Sequence, residues 1–151
     1  MWKVNVAISA ILLLQPMMSA TSSACSIDTT EKSPQELRAD ARRVVAEATA
    51  IVDGEVIRPL VDGKHNALLR AHKILKGPKK NVFEIGERNA CDVALTVLGQ
   101  RMRVVLEGGP DLYYLPIEYF TNATYQDEVL GSDRTKDWPN RGGQFPPPPS
   151  K

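Results

Sequence analysis

The chain has 151 residues, a formal net charge of +1 and a hydrophobic share of 42%. That length holds one domain with its own core and hardly two, and so balanced a charge excludes a whole surface built to seek polyanions.

Lys3 gives a short positive start, Val4 to Leu14 an apolar run of signal-peptide length, and Ser22-Ser23-Ala24 the small residues a signal peptidase accepts. The run is too short to span a bilayer, and Pro16 interrupts its continuation. Residues 1–24 are therefore expected to be a signal peptide, and the mature chain to be secreted or to reside in a periplasmic or extracellular space where disulfides are permitted. Cys25 and Cys91 are the only cysteines, and an even pair in an oxidising compartment favours a bridge. Closing that loop would stabilise the fold by about 4 kcal/mol on the chain-entropy estimate. The competing reading is a lipid-modified Cys25 anchored to the cell envelope, the one way in which a membrane would be involved. Ser22 stands where a lipobox usually carries Leu, and Cys91 would be left an odd thiol.

Ser33-Pro34-Gln35-Glu36 reads as a helix start, with Ser33 as N-cap, Pro34 in the first turn and Glu36 closing a capping box. Leu37, Ala41, Val44, Val45 and Ala48 then form an apolar stripe on a helix of about 14 residues. No Gly or Pro marks its end, so the helix-to-strand boundary falls somewhere between Glu47 and Ala50. From Ala50 the pattern changes to short β-branched runs separated by turn residues, as in a small sandwich or barrel. Ala50 to Leu60 is a strand with Asp53-Gly54 inside it, where Gly marks a bulge or a barrel bend. Asp62-Gly63 turns the chain into Ala67 to Leu75, in which Leu69, Ala71 and Leu75 are expected on one face, with Lys73 breaking the alternation and Arg70, His72 and Lys76 on the other. Gly77-Pro78 ends that strand; Val82 to Ile85, the apolar run Val93 to Leu98, Met102 to Leu106 and Leu112 to Tyr119 follow. The expectation from this pattern is a mainly β domain over residues 25–119, a small sandwich or barrel of five or six strands with an N-terminal helix. Its core should contain Leu37, Val44, Val52, Val56, Leu69, Leu75, Ile85, Val104 and Leu106.

After Phe120 the apolar periodicity fades, and Gly142-Gly143 and Pro146 to Pro149 suit neither helix nor central strand, so residues 120–151 are expected to be a disordered, flexible Pro-rich tail. Asn122-Ala123-Thr124 fits the glycosylation sequon.

No Gly-x-Ser-x-Gly elbow, His-Glu-x-x-His motif or phosphate-binding glycine loop is present. His65 and His72 fall on a turn and a strand and do not share a helix face, and Asp127-Glu128 lie in the expected tail, where nothing would desolvate them. The reading is a protein that is not an enzyme and uses no metal or cofactor. Lys64, Arg70, Lys73, Lys76, Lys79 and Lys80 form a basic stretch free of Asp and Glu. It is either a strand edge guarded against aggregation or a patch for an anionic glycan or oligonucleotide. The only phenyl, phenol or indole ring between Lys64 and Phe83 is Phe83 itself, which speaks against base stacking, and no nucleic acid is expected.

A signal peptide ending at a cysteine, the Ser-Pro-x-Glu helix, the strand Ile51-Val52-Asp53-Gly54-Glu55-Val56, the strand ending Ile74-Leu75-Lys76-Gly77, and Cys91 before a Gly99-containing run together resemble bacterial relatives of the tissue inhibitors of metalloproteinases, which belong with the netrin-like modules. The resemblance implies an OB fold, here a five- or six-stranded OB-like antiparallel barrel, and a secreted or surface zinc metalloprotease as partner. It also implies that Cys25, bridged to Cys91, presents its α-amine and carbonyl to the protease zinc while the hydroxyl of Ser26 enters the specificity pocket. Ile27 stands where that family has a second early cysteine.

Overall fold

The computed structural model describes residues 31–120 and 122–134. Residues 1–24, Cys25 and Ser26 lie outside the described residues, as do residues 135–151 with the Gly-Gly pair and the proline run.

The helix α1 spans Pro34–Glu47 and begins where the sequence places it. The Ser33 hydroxyl accepts from the Glu36 N–H at 3.3 Å, and the Ser33 N–H donates back to Glu36 Oε2 at 2.7 Å, so both ends of the capping box are made. Ala41, Val44 and Ala48 form its buried stripe, with Leu37 and Val45 half-buried beside them. What stops the helix comes from elsewhere in the chain. Lys76 Nζ donates to the Val45 and Ala46 carbonyls at 2.7 and 2.6 Å, placing a cation on the orphan carbonyls of the last turn.

Five strands follow: β1 (Ala50–Arg58), β2 (Ala67–Lys76), β3 (Val82–Gly86), β4 (Arg101–Gly108) and β5 (Tyr113–Tyr114). They close into a barrel in the order β1-β2-β3-β5-β4, with β4 returning to pair with β1. All pairs are antiparallel except β3 with β5, a short parallel contact matching Ile85 to Tyr113 and Gly86 to Tyr114. Of the sandwich or barrel that the strand pattern allows, the chain forms the barrel, with five strands in the OB-like arrangement that the resemblance implies. The apolar run Val93 to Leu98 forms no strand, because it crosses the barrel end and inserts Leu95 into the core. The last expected strand shortens to two residues before a 3-10 turn at Ile117–Phe120.

The β1–β2 register carries three irregularities. One sits at Gly54, where a Cβ would come within 2.8 Å of the Arg70 carbonyl oxygen and of Leu69, so the strand can bend there only with glycine. Asp53 faces Lys73 but Gly54 faces Ala71, which leaves His72 as an extra residue in β2; Ile51 faces Lys76 but Val52 faces Ile74, which leaves Leu75 as another. Each extra residue reverses the alternation. Ile74 therefore joins Leu69 and Ala71 against the barrel interior, and Leu75 turns outward to pack with α1, which corrects the expected grouping of Leu75 with Leu69.

Two apolar clusters result. Val52, Val56, Leu69, Phe83, Ile85, Val104, Leu106 and Tyr113 fill the barrel, and Ile51, Val105, Val44, Ala48 and Tyr119 join its outer face to α1. Seven of the nine expected core residues are buried; Leu37 and Leu75 are half-buried, both beneath or on the helix. Truncating an interior residue such as Leu69 to Ala costs about 2–5 kcal/mol.

The folded part runs past Phe120, correcting the expected start of the tail. A helix α2 (Ala123–Leu130) ends on Gly131 in the left-handed conformation and packs on α1. Beneath it lies Arg103, whose side chain is 0% exposed. Its Nε and Nη2 bind both oxygens of Asp53 at 2.6 and 2.8 Å, Nη1 binds Asp127 at 3.0 Å and the Ser132 carbonyl at 2.7 Å, and Nη2 binds Ser132 Oγ at 2.9 Å. All five guanidinium N–H groups are used. Arg134 closes over the same carboxylate, with Nε to Asp127 Oδ1 and its backbone N–H to Oδ2, both at 2.8 Å. Asp127 is thus desolvated, contrary to its reading as a tail residue. Asn122 is buried at the start of α2, so the folded chain does not offer this sequon to a glycan.

Candidate functional site

The segment from Glu87 to Gln100 crosses one end of the barrel and is pinned along its length. Val93 N–H donates to the Leu115 carbonyl at 2.6 Å, Ile117 N–H to the Cys91 carbonyl at 2.9 Å, Leu60 N–H to the Leu95 carbonyl at 2.7 Å, and Val56 N–H to the Gln100 carbonyl at 2.9 Å. Cys91 stands on this ledge, half-buried, with its own N–H donating to Asn89 Oδ1 at 2.8 Å. Asn89 and Ala90 beside it are exposed.

An ionic clamp fixes the ledge. Arg88 binds Asp92 through its backbone N–H and Nε at 2.8 and 2.9 Å and through Nη2 at 2.8 Å, while Nη1 reaches Glu107 at 3.0 Å and the guanidinium lies 4.7 Å from the Tyr114 ring centre. Glu107 also accepts from the Tyr119 hydroxyl. Burial pushes the Asp92 carboxyl up, but the Arg88 hydrogen bonds and charge outweigh it and hold Asp92 below its ordinary value. Burial, then the hydrogen bond and charge of Glu107, push the Tyr119 phenol up, so it stays a donor. The arrangement gives Cys91 a backbone fixed on both sides: an anchor whose partner would inherit its position. Cys25 and Ser26, the other residues of the expected site, lie outside the described residues.

The basic stretch does not assemble as one patch. Lys76 is spent on the end of α1. Lys80 Nζ donates to the Pro110 carbonyl at 2.6 Å and lies 5.8 and 5.3 Å from the ring centres of Phe83 and Tyr113, tying the β2–β3 turn to the β4–β5 connection. Arg70 and Lys73 stay exposed along β2 and Lys79 on the turn after it, while Lys64 sits on the β1–β2 connection. His72 bulges from β2 with Nε2 3.7 Å from Glu55, and His65 is exposed on its turn, so the two histidines do not meet.

Next to the ledge, the β1–β2 connection and the end of β3 enclose an open groove of about 430 Å³. Asp62, Glu84 and Glu87 line it together with Lys64, His65 and Asn66, and Leu60 and Val61 give it an apolar wall. Asn66 Nδ2 donates to Glu84 Oε1 at 2.9 Å. Burial, then the charges of Asp62 and Asp92, push the Glu87 carboxyl up. Glu87 lines the groove and begins the ledge segment, so groove and ledge adjoin.

Comparison with protein-family models, with curated proteins and with solved structures finds no match to this chain. Of the clamp and groove residues the sequence marks Lys64, His65 and the Asp62-Gly63 turn, but not the clamp residues Arg88, Asp92 and Glu107 or the groove carboxylates Glu84 and Glu87. Arg88 and Asp92 lie in a connection with no periodicity, and Glu107 and Tyr119 reach them only through the barrel.

Proposed function

We propose that the mature chain is an exported OB-like binding protein that inhibits a secreted or surface zinc metalloprotease through its amino-terminal cysteine, as the resemblance to tissue inhibitors of metalloproteinases implies. The reading assigns the zinc-chelating α-amine and carbonyl to Cys25, the bridge partner to Cys91 and the pocket-filling hydroxyl to Ser26. The observation that carries it is the ledge, where hydrogen bonds hold Cys91 on both sides and the Arg88–Asp92 clamp locks the residues before it. Cys25 is the only other cysteine in the chain, so the reading has one candidate for the bridge. A chelating group tethered to such an anchor loses little freedom on binding, and an α-amine with a reference pKa near 8 gives up its proton to a metal at modest cost. The reading of the basic stretch as an anionic-ligand patch loses support, since Lys76 and Lys80 are committed to backbone carbonyls.

Inhibition of a panel of secreted zinc proteases by protein beginning at Cys25, and by the same protein with one residue added ahead of Cys25, tests the mechanism. Loss of inhibition in the extended form is the expected result; equal inhibition by both forms removes chelation. Intact mass before and after reduction separates a bridged Cys25 from a lipid-modified one.

A further inference from the structure

We propose that the groove beside the ledge is a binding site for an arginine or lysine side chain of a bound polypeptide. The inference does not depend on the role assigned to Cys25, because its residues come from the β1–β2 connection, β3 and the first residue of the ledge segment.

The groove combines three features that match a long cationic side chain. It is an open depression of about 430 Å³, within the size range of small-ligand sites. One wall is apolar, formed by Leu60 and by Val61, which is 37% exposed. An apolar wall ending in carboxylates suits a side chain with a methylene stem and a charged head. Among the described residues, the carboxylates of the groove form no ion pair. Asp53, Asp92, Glu107 and Asp127 are each ion-paired, whereas Asp62, Glu84 and Glu87 make no ion pair among the described residues, although Lys64 and His65 share their lining. Glu84 is held in place by Asn66, so one acceptor is positioned before any ligand arrives. Burial first, and then the charge of Asp62 with that of Asp92, raises the Glu87 carboxyl at the same place.

The test uses the full mature chain and two short capped peptides, glycine-arginine-glycine and its neutral counterpart with citrulline, followed by backbone amide NMR. The arginine peptide is expected to shift the amides of Val61 to Asn66, Glu84 and Glu87, the citrulline peptide to leave them in place, and the combined Glu84→Gln and Glu87→Gln variant to bind the arginine peptide roughly tenfold more weakly. Both substitutions are isosteric, and unchanged amide shifts outside the groove establish that the variant is folded. Equal shifts with citrulline, shifts confined to other acidic regions, undiminished binding by the variant, or displacement of the peptide by calcium chloride at low millimolar concentration would each overturn the proposal.

Discussion

Two arginines each grip a buried aspartate in this molecule, and they do different work. Arg103 is 0% exposed, has all five donors satisfied, and fastens the end of α2 to the outer face of the barrel. Arg88 is 40% exposed, holds an Asp92 side chain that is 1% exposed, and fastens a surface ledge rather than a secondary-structure element. In the first cluster, removing the cation strands Asp53 away from water, while Asp127 keeps Arg134. In the second, solvent can replace part of what is lost. The same pair chemistry thus serves global stability in one place and local rigidity in the other, and burial decides which.

Replacing Arg103 with Met is the sharpest way to break this contrast. It leaves Asp53 unpaired under α2, and a loss of about 3–5 kcal/mol in denaturant unfolding is expected. Ending the chain after Phe120 acts on the same contact by deleting Asp127, Ser132 and Arg134, and a melting temperature well below that of the full chain is expected. Replacing Asp92 with Ala should cost less, about 1–3 kcal/mol, with the change concentrated at the ledge. Hydrogen exchange at the Val93 and Ile117 amides, which bond across it, should quicken while exchange at the Val104 and Leu106 amides follows only the global change.

Acid sharpens the comparison further. The Asp92 carboxyl is held below its ordinary value, so its contribution is present above a pH of about 4 and fades as pH falls through the lowered value. Thermal melts taken through that range should show the wild type losing more stability than Asp92→Ala. The smallest effect belongs to the groove. Glu87 is raised, so its ionised form weakens the fold as pH rises above the ordinary carboxylate value, and Glu87→Gln should melt slightly higher than wild type at neutral pH and indistinguishably from it in acid.

Local chemistry wrote the parts that the sequence alone determined. Ser33, Pro34 and Glu36 fix the start of α1 because their partners lie within one turn, and the β-branched runs from Ala50 onward fix a small sandwich or barrel because their turns are marked by Asp-Gly and Gly-Pro. Gly54 was legible as a bend for the same reason. The rest depends on residues far apart in the chain. The end of α1 is set by Lys76, the facing of Ile74 and Leu75 by bulges that exist only in the pairing with β1, and the burial of Asp127 by an arginine on β4. Of the candidate site, the sequence marked Cys91, while the clamp of Arg88, Asp92, Glu107 and Tyr119 and the groove of Asp62, Glu84 and Glu87 came into view only with the barrel closed. Charges and bulges carry little periodicity, so their meaning is decided by whichever neighbours the tertiary structure brings to them.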